Sequence, residues 1–213
     1  MNFFDLLGGQ AQERSGRIYG VVVGLVTNNQ DPENLSRVKV KFPWLSDTDE
    51  SAWARVAMPM AGNQRGICFL PEVNDEVLVM FEQGDVRVPY VVGALWNGKD
   101  APPVLNGDGQ NNVRIIKSRS GHVVKLNDAD GKETIEIIDK STKNSVVIDT
   151  AKNTVTVTSD KDITLSAPKG TIKLDAQKVE IASSEATQVK AGGNMNLESG
   201  ATMTVKGSTV NIN

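Results

Sequence analysis

Along the last third of the chain, apolar residues recur as pairs at i and i+2 with a polar residue between them. The pairs are Val155/Val157, Ile163/Leu165, Ile172/Leu174, Val179/Ile181, Thr187/Val189, Met195/Leu197, Met203/Val205 and Val210/Ile212. Only Thr187 breaks the apolar set, and the eight residues between the members (Thr156, Thr164, Lys173, Glu180, Gln188, Asn196, Thr204 and Asn211) are all polar. Strand side chains alternate sides, so each triplet turns two residues inward and one outward. The pairs begin at 155, 163, 172, 179, 187, 195, 203 and 210, a step of eight with one-residue slips. A fixed short period of this kind marks an internal structural repeat and predicts a β-solenoid.

Residues 16–96 carry a different pattern. In "SRVKVKFPWL" Val38, Val40 and Phe42 alternate with Arg37, Lys39 and Lys41, the period of a half-buried strand. "RIYGVVVGLVTN", "WARVAMPM", "GICFLPEVNDEVLVMFEQGD" and "VPYVVGALW" predict four more strand regions, separated by Gly, Pro and Asn-Asp punctuation. About five short strands without a convincing helix predict a small closed barrel, the five-stranded Greek-key barrel of the OB-fold.

The aromatic residues divide the chain at the same place. All ten lie before position 97, and the remaining 117 residues have none. Rings bury large areas and dominate ordinary cores, so the second half is expected to have an interior too narrow for them. "NGKDAPPVLNGDGQNN" (97–112) reads as a loop between the halves. The expected organisation is an N-terminal segment at 1–15, a barrel at 16–96, a linker at 97–119 and an intertwined β-helix at 120–213.

One octad covers a short strand and a turn, which is one side of a triangular coil. A single chain would close fewer than three coils with eight such units. Three chains contributing one side each would make about eight layers of a rigid prism, at ~4.7 Å between neighbouring strands. The expected assembly is a homotrimer whose core holds Val155, Val157, Ile163, Leu165, Ile172, Leu174, Val179, Ile181, Val189, Met195, Leu197, Met203 and Val205. Gly170, Gly192, Gly193, Gly200 and Gly207 fall between triplets, where positive φ is expected.

The charge excludes little by itself: the formal net charge is −3. Residues 1–110 carry nine basic and fourteen acidic side chains, which opposes a nucleic-acid role. One cysteine and one histidine cannot build a zinc site or an intrachain disulfide. Cys68, within "GICFLP", is expected to be a buried, inert thiol. His122 is expected at the surface, and "SDTDES" (46–51) and Pro71–Glu76 as solvated loop charges without a cleft. No signal peptide is recognised in "MNFFDLLGGQAQER", and no apolar run approaches the ~20 residues of a membrane span. Synthesis in the cytoplasm is expected.

A small barrel followed by an octad-repeat needle resembles the phage baseplate assembly protein V family, the central spike of contractile tails, and the spike part of VgrG proteins. The residues that carry the likeness are "GRIYGVVVGLVTNNQDPENLSRVKVKFPWL", "SAWARVAMPMAG", "RGICFLPEVNDEVLVMFEQGDVRVPYVVGALWNG" and "SGHVVKLNDADGKETIEIIDKST". The resemblance implies a non-enzymatic homotrimer, without cofactor, at the centre of a virion-tail or injection-particle baseplate. Its barrel would sit on a hub protein, and its needle would touch the target membrane transiently during puncture. Some phage spikes end in a His-x-His that binds iron; here the only histidine is His122. The last residues Val210, Asn211, Ile212 and Asn213 would present an apolar triangular end, for which the resemblance implies a separate PAAR-type tip protein.

The segment carrying Phe3, Phe4, Leu6 and Leu7 is expected to dock into the hub or to pack on its own barrel. The rival reading is a trimeric OB-fold module binding oligosaccharide or single-stranded nucleic acid, for which Arg37, Lys39, Lys41, Phe42 and Trp44 give a weak pattern. A solenoid enzyme is weaker still, since the outward residues show no concentration of catalytic groups.

Overall fold

The computed structural model describes residues 16–46 and 48–212. Phe3, Phe4, Leu6, Leu7 and Asn213 lie outside the described residues. The chain divides into two units, Met1–Asp160 and Lys161–Asn213.

The first unit begins with the strands β1 (Val22–Asn28), β2 (Lys39–Lys41) and β3 (Arg55–Val56). A two-residue ribbon follows, β4 (Ala61–Gly62) against β5 (Arg65–Gly66), and then β6 (Glu76–Phe81) and β7 (Pro89–Ala94). The sheet order is β2-β1-β6-β7-β3. β1 pairs antiparallel with both β2 and β6, β6 antiparallel with β7, and β3 parallel with β7. One more pairing brings the two edges together: Val38, just before β2, and Ala54, just before β3, exchange both backbone hydrogen bonds at 3.0 and 2.7 Å. With that bridge every principal strand has two neighbours, which is the five-stranded Greek-key barrel expected from the sequence.

Alternation fills the barrel. Val38, Val40 and Phe42 from the β2 region, and Val77, Val79 and Phe81 from β6, all point inward with Val26, Ala54 and Val91. Fully burying an aliphatic side chain of this size stabilises by roughly 1.5–3 kcal/mol. The interior is small enough that a Cβ at Gly24 would collide with the Val40 side chain and come within 3.1 Å of the Lys41 carbonyl.

Cys68 corrects an expectation. It is exposed, not buried. The run "GICFLP" leaves β5 at Gly66 and leads toward β6, and Ile67 and Phe69 on either side of Cys68 are exposed as well. Only the end of the run turns inward, with Leu70 packed against the barrel core and Pro71 buried.

The same unit carries a second sheet, β8 (Val113–Lys117), β9 (Val123–Asn127), β10 (Thr134–Ile138), β11 (Ser145–Asp149) and β12 (Thr154–Thr158). It is an antiparallel meander with every strand beside its sequence neighbour. β8 falls within residues 97–119, the stretch expected to be a linker. Turn chemistry sets the hairpins: Gly121 (φ 103°), Gly131 (φ 68°), Thr142 (φ 62°) and Asn153 (φ 53°) take the left-handed region. Asp139 organises the β10–β11 loop, accepting from the Ser141 hydroxyl at 2.8 Å and from the Asn144 amide at 3.0 Å.

In the second unit, no strand is assigned among the described residues, and the aliphatic members of the octads are exposed. The positive φ expected at Gly170, Gly192, Gly193, Gly200 and Gly207 is not found, since none of them takes it. These turns are made without the left-handed region. At Gly192, Gly193 and Gly200 a Cβ would meet nothing within 4 Å.

Candidate functional site

The feature that stands out is the open face of the β8–β12 meander. Its register sets side chains in two rows. One runs Ile116, Val124, Ile137, Val146, Val157; the other runs Arg114, Leu126, Ile135, Ile148, Val155. All nine aliphatic members are exposed. A soluble sheet normally hides its aliphatic face and shows its polar one. The other, less exposed face is mixed: Lys125, Asn127, Thr134, Glu136 and Asp149 stand on it beside Val113, Ile115, Val123, Ile138 and Val147, and Lys125 pairs with Glu136 at 2.8 Å. A hollow of about 480 Å³ opens among Ile116, Val124, Ile137, Val146 and Val157, with His122, Asp139 and Asn144 at one end. His122 is exposed, and its Nδ1 accepts a hydrogen bond from the Lys140 N–H at 3.2 Å.

Arg114 is the one charged member of either row. It stands at the β8 edge, where it bonds the Asn111 carbonyl at 3.1 Å and pairs with Asp128. At that edge it closes the aliphatic row without interrupting it.

The first octad pair belongs to this face. Val155 and Val157 lie in β12, opposite Ile148 and Val146, so the apolar surface runs without a break from β8 into the start of the repeat. The later members Ile163, Leu165, Ile172, Leu174, Val179, Ile181, Val189, Met195, Leu197, Met203, Val205, Val210 and Ile212 are each exposed in the single chain. Sequence reasoning found the octads but not the two rows before them. The signal was present in "VVKL", "TIEII" and "SVVI", whose alternation is of the same kind.

On the barrel, Arg37, Lys39 and Phe42 of the residues proposed for a rival binding role are engaged elsewhere, while Trp44 is exposed. Asp31 accepts from the Arg37 guanidinium at 2.9 and 2.7 Å and from the backbone N–H groups of Glu33, Leu35 and Arg37. The Arg37 guanidinium above all holds the Asp31 carboxyl far below the usual range, and Asp31 holds Arg37 far above its own. Arg37 also meets Glu33, and Lys39 pairs with Glu50 at 3.1 Å. Both cations lie over the Trp53 ring. Phe42 is buried in the core. A groove that tracks a phosphate backbone needs cations free to meet it, and these two are held by carboxylates of the same barrel.

The acidic groups of the loops are local as well. Asp75 receives the Glu72 N–H at 2.8 Å, Glu72 pairs with Arg119, and Glu76 accepts from the Asn97 amide at 3.0 Å. Among the described residues, no three His, Cys, Asp or Glu side chains come together as a metal site, and no helix is long and apolar enough to cross a membrane.

With the barrel topology established, residues 22–96 match the family described as the type VI secretion system/phage-baseplate injector OB domain. Three curated relatives extend the match. The type VI secretion system spike protein VgrG3 of Vibrio cholerae serotype O1 is 36% identical over 92 residues, covering 41% of this chain and 9% of its own. The actin cross-linking toxin VgrG1 of the same species is 31% identical over 115 residues, covering 48% and 10%. The spike protein VgrG1a of Pseudomonas aeruginosa is 28% identical over 128 residues, covering 55% and 20%. The barrel is similar to the injector OB domain of type VI secretion systems and phage baseplates. Through it the chain is related to the VgrG-type baseplate spike proteins, although it spans only a tenth to a fifth of the length of these relatives.

Proposed function

We propose that the chain is the membrane-puncturing spike at the centre of a contractile baseplate, assembled as a homotrimer. The observation that carries this reading is the unbroken aliphatic surface from Ile116 to Val157, in a chain whose barrel is similar to an injector OB domain and whose sequence goes on into the octads. Contiguous apolar surface of this extent is a site of association. Three copies related by a threefold axis turn their aliphatic rows toward one another and leave the Lys125–Glu136 face to water. The octads extend that interior along the axis, one layer per repeat, with Thr, Lys, Glu, Gln and Asn outward. Such a prism has its backbone paired throughout and presents few free edges. Its work is mechanical: the spike transmits the thrust of sheath contraction and breaks no bond.

In this reading the barrel meets a separate hub protein, and the apolar end formed by Val210 and Ile212 is covered by a PAAR-type tip. The protein resides in a virion tail or an injection particle. Light scattering of the purified chain tests the assembly. Three times 22.9 kDa, about 69 kDa, is the expected mass. A monomer at 22.9 kDa would mean that the octads close on themselves, and would bring the binding-module reading forward.

A further inference from the structure

The barrel has a groove between β3 and the turn joining β6 to β7. It measures about 470 Å³, and its apolar walls are Leu35, Val56, Val88 and Pro89, with Trp53 and Arg55 alongside. Leu35 and Val88 are exposed although they stand in an otherwise well-filled barrel.

Three guanidinium groups border this groove, and their situations differ. Arg37 is taken by Asp31 and Glu33. Arg87 is taken by Asp85, which receives its Nε and Nη2 at 2.9 and 2.6 Å. Arg55 lies over the Tyr90 ring, 5.6 Å from its centroid, and Tyr90 donates its hydroxyl to Glu82. Among the described residues no carboxylate pairs with Arg55. An apolar groove bordered by one cation with which no described carboxylate pairs fits an apolar segment carrying one carboxylate.

This chain contains such a segment at Phe3, Phe4, Asp5, Leu6 and Leu7. The described chain also begins beside the groove. The Ile18 N–H donates to the Gly84 carbonyl at 2.9 Å, and the Arg17 guanidinium to the Gln83 carbonyl at 3.1 Å. The turn containing Gln83 and Gly84 runs on into Arg87, Val88 and Pro89, which form one wall. Residues 8–15 between the segment and Gly16 can span up to about 28 Å when extended.

We infer that the groove is the seat of the chain's own Phe3–Leu7 segment, with Asp5 meeting Arg55. The seat is built entirely on the barrel, so it stands whether or not three copies associate. A photo-crosslinking residue in place of Phe4 in the full chain tests it, with products separated by mass and mapped by peptide sequencing. The expected product is an intrachain crosslink to the stretches around Leu35, Val56 or Val88. Asp5→Arg and Arg55→Asp should each cut its yield roughly tenfold, the loss expected for a charge-assisted contact. The pair together should restore it. Unchanged thermal melting of the barrel in Arg55→Asp separates loss of the contact from loss of the fold. Crosslinks only to a second copy, only elsewhere on the chain, or none at all would overturn the assignment, as would failure of the double exchange to restore the yield.

Discussion

Val146 of β11 stands directly opposite Val157 of β12, and both side chains lie on the open face of the meander. Val157 closes the first octad, so the repeat is joined in register to a sheet that precedes it. The surface proposed as the trimer interior therefore begins some forty residues before the first octad, at Ile116.

Two substitutions probe the meander and the octads separately. Val146→Asp and Val205→Asp would each bury three carboxylates in one layer of the assembled prism, and an unpaired buried charge costs several kcal/mol even after the site relaxes. The expected outcome for either variant is a species near 22.9 kDa by light scattering, with the barrel still folded. A stable trimer of Val205→Asp would contradict the inward assignment of the octads.

The barrel has its own sensitive point at Gly24. A methyl group there meets the Val40 side chain, the Phe42 ring and the Lys41 carbonyl, and backbone does not move aside as a side-chain tip does. Gly24→Ala should destabilise the barrel by about 1–3 kcal/mol, the usual cost of overpacking a filled core. Denaturant melts followed by Trp fluorescence would measure this. A melt superimposable on that of the wild type would show that β1 and β2 are less tightly apposed.

Acid should act on the meander through Asp139. The Ser141 hydroxyl first, and then Asn144, hold its carboxyl down from 3.8 to about 2. A depressed carboxylate stabilises fully above its unfolded value. As pH falls from about 4 through about 2 the unfolded chain takes up the proton first, and the contribution is lost. The melting temperature of the wild type should fall more steeply over that window than that of Asp139→Asn, which has no proton to take up there. Parallel curves for the two proteins would show that the loop contributes nothing to acid sensitivity.

The alternation of Val38, Val40 and Phe42 was legible in the sequence because each residue answers to one local fact, the face on which it lies. The strand count also pointed to a closed barrel, but not to the residues that close it, since no local pattern marks Val38 as the partner of Ala54. Cys68 misled because the apolar run around it turns inward only at its end, where Leu70 packs on the core, and Cys68 itself is exposed. β8 was hidden behind an Asn- and Gly-rich approach, and its place depends on β9 pairing back upon it. The octads were plain as a period. In the proposed trimer their partners belong to other copies, so a single chain would not display the pairing that buries Ile163 or Leu197.

The last prediction separates the spike from the binding module. On the barrel face formed by β2 and β3, Arg37 is held by Asp31 and Glu33, and Lys39 by Glu50. Single-stranded nucleic acid would have to displace these carboxylates before its phosphates could be neutralised, and the released acids would then repel it. Filter binding of an oligonucleotide should therefore show no tight, salt-dependent retention by the wild type. Replacing Glu33 and Glu50 with Gln frees part of the positive charge, and a rise confined to that variant would mark the carboxylates as what holds the face closed. Asp31 is left in place because its carboxylate organises the β1–β2 loop through three backbone N–H groups. Tight retention by the wild type that falls linearly on a logarithmic salt scale would instead show that phosphate outcompetes these pairs, and the barrel would have to be read as a nucleic-acid module.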